Sequence, residues 1–243
     1  MANKITLYHG STQVIEKPIY GFGSPDNDYG CGFYTTHIRE KADSWAITMG
    51  EGNHGITNEY QIDLNGLNVV NLDKYGTLAW VATILSHRGV KDEYQQLKAQ
   101  LLVEKYAIDL SDADIVVGYR ADDSYMDIVE WFLEDKISLA DVERLFQKGE
   151  LGTQYFIQSR KAFNAIKFIK SYEIEYSENL LQDEKRARKE VSTFFNNRSR
   201  ALIIDKLQIV GITSTFAIDY DLVYDKNTGY YTNTEKNKEN YNE

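Results

Sequence analysis

Leu7-Tyr8-His9-Gly10-Ser11 and Gly30-Cys31-Gly32-Phe33-Tyr34-Thr35-Thr36 decide how this chain is read. Ile5 to Tyr8 has the look of a short apolar strand ending on a histidine–glycine pair. Gly32 to Thr35 returns to strand character after a loop over 16–30 rich in Gly, Asp, Asn, Ser and Pro. Beside a histidine, a glycine lets a ligand reach the backbone, whose N–H and C=O can clamp a carboxamide. Gly30 and Gly32 precede Tyr34 at alternate positions and leave one strand face bare, so a flat ring can lie against the phenol. The two stretches together describe a pocket for a flat, amide-bearing ring.

Working outward, Arg39 to Met49 places Ala42, Trp45, Ala46 and Met49 at helical spacing. Tyr60 to Leu64, Asn65-Gly66 and Leu67 to Leu72 predict a hairpin, since Asn-Gly tolerates positive φ. Leu78–His87 and Lys91–Val103 read as helices and Asp114–Tyr119 as a buried strand. A helix follows over Tyr125–Leu133, and another opens at Ser138 with Asp141 completing a capping box. Tyr155–Ile157 predicts a strand, and Ser159 caps a helix carrying Ala162, Phe163, Ile166 and Phe168. Tyr172–Tyr176 alternates like a strand, Asp183–Phe195 reads as a charged helix, and Ala201–Ile218 is apolar and β-branched. Strands and helices do not alternate as regular βαβ units, so the fold class is α+β. The expected organisation is a binding domain over 1–176, an extension of helix and strand over 177–224, and a polar, disordered tail over 225–243.

Composition narrows the function. The chain has 243 residues, is 42% hydrophobic and carries a formal net charge of −10, which disfavours a general nucleic-acid coat. One cysteine forbids an internal disulfide and fits a reducing compartment. The start has no basic region leading into an apolar core, and no apolar run reaches membrane length, so a cytoplasmic protein without membrane contact is expected. The glycines do not form a Gly-x-Gly-x-x-Gly element, and no Walker A sequence is present. His9, His37, His54 and His87 are scattered without zinc spacing, so no metal is expected. Ser11 lies near His9, but no Gly-x-Ser-x-Gly supports a nucleophile there. Lys185–Lys189 is bracketed by Glu184 and Glu190 and reads as a solvated helix face.

The remaining candidates gather around the ring pocket. The His9 imidazole can hold a ribose hydroxyl. Trp45, eleven residues past Tyr34, can close the other face of a ring. Gln154 can bond a ribose or orient a nucleophile, but an amide takes up no proton at neutral pH. Arg120 can pair with a pyrophosphate, and Asp122 and Asp123 follow it in a charged loop. Without a site, His9 is a satisfied strand-end residue, Tyr34 and Trp45 are core aromatics, and Gln154 is an edge amide.

These residues together resemble the ADP-ribosyltransferase superfamily in its histidine–tyrosine branch, which includes diphtheria-toxin-like toxins and poly-ADP-ribose polymerases. The chain resembles more closely a bacterial family of unknown function distantly related to that superfamily. The motifs that carry this are Leu7–Ser11, Gly30–Tyr34, Ala42–Ala46, Asp114–Tyr125, Leu151–Gln154 and Ser159–Phe163. The resemblance implies a split β-sandwich with peripheral helices and NAD as substrate in its cleft. His9, Gly10, Ser11, Gly32, Tyr34, Trp45 and Arg120 would bind NAD, and His9, Tyr34 and Gln154 would form the catalytic set. Many active relatives have Glu where Gln154 stands, so single ADP-ribosyl transfer to a protein or nucleic-acid acceptor is implied over chain elongation. Asp122 and Glu150 become candidates to deprotonate the acceptor, with Asp122 and Asp123 also open to a loop-tying role. A serine of some relatives falls at Ala42. The alternatives are an NAD or ADP-ribose-binding module without transfer and an NAD glycohydrolase. By analogy with related bacterial proteins, the resemblance also implies a toxin-like or phage-defence effector restrained by an antitoxin partner.

Overall fold

The computed structural model describes residues 3–51, 54–120, 123–148 and 152–177, scattered positions between 180 and 193, and two short strands at 222–224 and 231–233. Its centre is a seven-stranded sheet of β1 (Lys4–Ser11), β2 (Phe33–Thr36), β3 (His54–Asp63), β4 (Val69–Asn71), β5 (Ile115–Tyr119), β6 (Thr153–Ile157) and β7 (Ile166–Glu175). The strand order is β4-β5-β6-β2-β1-β3-β7, with β4 and β5 parallel and every other neighbouring pair antiparallel. The helices are α1 (Arg39–Met49), α2 (Thr77–Arg88), α3 (Glu93–Tyr106), α4 (Asp123–Leu133), α5 (Leu139–Lys148) and α6 (Arg160–Ala165). The fold is therefore α+β with an open mixed sheet. β8 (Leu222–Tyr224) and β9 (Tyr231–Asn233) form a separate antiparallel pair.

Alternation along the strands divides the core in two. Val116 and Phe156 face one layer, where Trp80, Ile84, Leu102, Ile128 and Val142 from α2–α5 cover them. Ile115, Val117 and Ile157 face the other, with Leu7, Phe33, Tyr60 and Ala162. Because both faces of β5 are covered, its sequence is an unbroken apolar run. α1 lies on β1 and β3. A Cβ on Gly10 would stand 2.1 Å from the Ala42 carbonyl oxygen, so helix packing by itself demands glycine there.

The sheet is almost divided down its middle. β1 and β2 share one register pair, Tyr8 opposite Thr36. Continued, that register would set His9 opposite Thr35 and Gly10 opposite Tyr34, but the strands part before those pairs form. Four strands thus lie on one side of a seam and three on the other.

Two local expectations require correction. Asn65-Gly66 does turn, with Gly66 at φ +76°, but no hairpin results. The Asn68 N–H donates to Asp114 Oδ2 at 2.8 Å and the Asp114 N–H to the Asn68 carbonyl at 2.8 Å, which draws the following strand to β5. The Ser159 cap is present, its Oγ accepting the Ala162 N–H at 3.0 Å. The helix it starts ends at Ala165, however, because Ile166 pairs with Ile62 and begins β7. The Ser138–Asp141 capping box forms as expected, with the Ser138 N–H donating to Asp141 Oδ2 at 3.0 Å.

Candidate functional site

His9 bridges the seam. Its Nδ1 lies 2.7 Å from the Tyr34 carbonyl oxygen, across the gap where no strand ladder forms. A carbonyl only accepts, so Nδ1 carries the proton. Burial lowers the His9 pKa, partly opposed by this bond, and the ring is neutral near pH 7. Nε2 is then an acceptor, suited to a hydroxyl. The ring rests on Phe33 with centroids 4.4 Å apart. Buried Asn58, opposite His9 on β3, donates through Nδ2 to the His9 carbonyl at 3.4 Å and the Ser11 hydroxyl at 3.3 Å. Ser11 is thereby held at the end of β1, its hydroxyl donating to the Gln13 carbonyl in the turn that follows.

Tyr34 is anchored on the far bank. Its hydroxyl donates to the Gly30 carbonyl at 2.8 Å and accepts the Tyr29 N–H at 3.0 Å. Its ring lies near parallel to Tyr29 at 6.4 Å and against Phe156 at 4.8 Å. Burial pushes the phenol pKa far up, so it stays protonated. The bare face read beside Gly32 is filled: a Cβ there would meet the Phe156 ring at 2.2 Å. Gly30, at φ +82°, closes the turn that presents its carbonyl to Tyr34.

Gln154 is buried, at 6% exposure, opposite Thr36 on β2 and Gly118 on β5. Its Nε2 donates to Asp28 Oδ2 at 2.8 Å and to the Tyr119 carbonyl at 3.3 Å. Asp28 in turn accepts from Arg88 at 3.2 Å. The Tyr119 carbonyl also accepts from the Tyr29 hydroxyl at 2.7 Å and from Trp80 Nε1 at 3.2 Å. His87 stands beside the Gly30 turn, its pKa lowered by burial and raised in part by Asp28. Tyr34 and Gln154 are therefore joined through the adjacent residues Tyr29 and Asp28.

Trp45 is 37% exposed on α1, and the Arg120 guanidinium lies over its ring at 4.3 Å. The Arg120 N–H donates to the Gly152 carbonyl at 3.2 Å. α1 rests on the three-strand side and Arg120 follows β5 on the other, so this contact crosses the seam as His9 does. Asp122, Glu150 and the side chain of Asp123 lie outside the described residues, as do most of 177–224 and 225–243.

The structure thus joins His9 to Tyr34 and Trp45 to Arg120. It adds Asp28, His87, Arg88 and Asn58, which the sequence did not single out. Asp28-Tyr29 immediately precedes the Gly30–Tyr34 stretch, and that adjacency was the available signal. No helix among the described residues is long and apolar enough to cross a membrane. No cluster of His, Cys, Asp and Glu among them is arranged to hold a metal ion.

Fold and site together define an α+β protein whose open sheet carries a polar cluster beside a central seam. The chain belongs to the family described as "Protein of unknown function (DUF3990)", which matches residues 5–168. No curated protein and no solved structure matches it.

Proposed function

We propose that the protein binds NAD across the seam and transfers a single ADP-ribosyl group to a protein or nucleic-acid acceptor, within an ADP-ribosyltransferase-like split sandwich. The observation that carries this reading is the parting of β1 and β2 at His9 and Gly10, bridged by the bond from His9 to the Tyr34 carbonyl at 2.7 Å. An unladdered edge offers backbone N–H and C=O groups to a carboxamide. Neutral His9 would accept a hydroxyl of the nicotinamide ribose through Nε2, Tyr34 would line the ring, and Arg120 would leave Trp45 for the pyrophosphate.

The reaction is substitution at the anomeric carbon of that ribose. The bond to nicotinamide breaks, the acceptor's nucleophile forms the new bond, and its proton passes to solvent or a nearby base. The chain's task is to orient NAD and exclude water from a cationic transition state. Gln154 takes up no proton, so it orients and does not act as a base.

Incubation with labelled NAD and a cell lysate tests the reading. Label in protein or nucleic acid, with nicotinamide released, is the expected result. Intact NAD and no label overturn transfer. Free ADP-ribose alone identifies a glycohydrolase, and NAD binding without nicotinamide release identifies a binding module.

A further inference from the structure

We infer that Asp28 is a positioning residue that fixes which way the Gln154 amide faces, and that Arg88 fixes Asp28. Gln154 Nε2 has two neighbours that can only accept, the Asp28 carboxylate at 2.8 Å and the Tyr119 carbonyl at 3.3 Å. An amide flipped by 180° would turn its oxygen toward both and convert two hydrogen bonds into two repulsions. Asp28 is 7% exposed and held by Arg88 at 3.2 Å, so its carboxylate has little freedom to follow a flip. Oε1 therefore always faces away from Asp28, and Gln154 shows its surroundings an acceptor.

Asp28 also places the local negative charge one side chain back from position 154. A carboxylate introduced by Gln154→Glu would face Asp28 across the same short gap, and the two would repel. Toward residue 28 the pattern of donor and acceptor can instead be exchanged, although the Tyr119 carbonyl stays an acceptor. In the double variant Asp28→Asn/Gln154→Glu, the new amide at 28 donates to the new carboxylate at 154, its oxygen is left to accept from Arg88, and the bond to the Tyr119 carbonyl is lost.

That the Gln154 acceptor serves a ribose hydroxyl rests on the proposed NAD site, whereas the lock itself does not, and the experiment separates them. Side-chain amide resonances assigned by ¹⁵N NMR read the lock without ligand. The Gln154 NH₂ is expected to exchange slowly in the wild-type protein and at least about tenfold faster in Asp28→Asn. In the double variant the new asparagine NH₂ at 28 is expected to be the protected group, and this reading decides the matter if the single variant does not fold. Equal exchange in wild type and Asp28→Asn, or an unprotected amide at 28 in the double variant, overturns the lock. NAD titration by calorimetry reads the use of the acceptor. Asp28→Asn and Gln154→Glu should each weaken NAD binding about tenfold, and the double variant should recover part of the loss, the contact with the Tyr119 carbonyl staying unfavourable. A merely structural role predicts no recovery. Absence of NAD binding by the wild-type protein sinks the NAD site and leaves the exchange result to stand on its own.

Discussion

Asp28 and Asp114 are both buried carboxylates, yet their partners differ in kind. Asp114 accepts the Asn68 N–H at 2.8 Å, the Ser159 hydroxyl at 2.5 Å and Lys161 at 3.4 Å. Two of these groups end or begin an element, and together they fasten the turn before β4 and the start of α6 to the base of β5. Asp28 is held by the side chains of Arg88 on α2 and Gln154 on β6. It touches the group that the proposed chemistry would use. A carboxylate tied to a backbone N–H and a cap hydroxyl, with an exposed lysine at 3.4 Å, builds the frame, while one tied to the side chains of Arg88 and buried Gln154 sets the orientation of a functional group.

If that contrast holds, Asp28→Ala has the larger effect. It leaves the partly buried Arg88 and the Gln154 NH₂ without their shared acceptor, costing about 2–3 kcal/mol in urea unfolding and weakening NAD binding in parallel. An unchanged midpoint would erase the distinction. Asp114→Ala should cost less, about 1–2 kcal/mol, since solvent reaches the freed groups at the element ends, and NAD affinity should be unchanged. A loss of affinity there would place Asp114 with the site.

A third effect depends on pH. Burial lowers the folded-state pKa of His9 and of His87. Between that value and the unfolded value of about 6.5, the unfolded chain binds more protons. Stability should therefore fall as pH drops below about 6.5, and His9→Gln should flatten the fall. Equal slopes for variant and wild type in urea titrations at about pH 7.5 and about pH 5.5 would remove His9 from the account. The smallest stability effect belongs to Trp45→Ala. The ring is partly exposed, so unfolding should shift within about 0.5 kcal/mol, while NAD affinity does not fall, since Arg120 no longer has a ring to leave.

What the sequence made legible was local. β1, β2 and β5 follow from runs of a few residues that carry their own strand character, and the caps at Ser138 and Ser159 from partners three residues on. The hairpin expected around Asn65-Gly66 failed because a turn residue reports only that the chain reverses. Asp114, 46 residues from Asn68, decides where the next strand goes. Gln154 was visible as a candidate, but its orientation depends on Asp28, 126 residues away. Gly10 and Gly32 were read as room for a ligand, and their small size already has an internal cause in α1 and in Phe156. Small residues beside a site thus report contact without saying whether ligand or protein makes it.

The lone rung between Tyr8 and Thr36 has a mechanical consequence. A sheet shares load through its ladder, and here the two halves have almost none in common. Coupling of β1, β3 and β7 to β2, β6 and β5 is therefore carried by side-chain packing, through Leu7, Tyr60, Phe33 and Ile157, more than by the ladder. A molecule gripping both banks would supply the missing cross-links. Amide exchange in β1 and β2 should then slow together when it binds, two half-sheets becoming one cooperative unit.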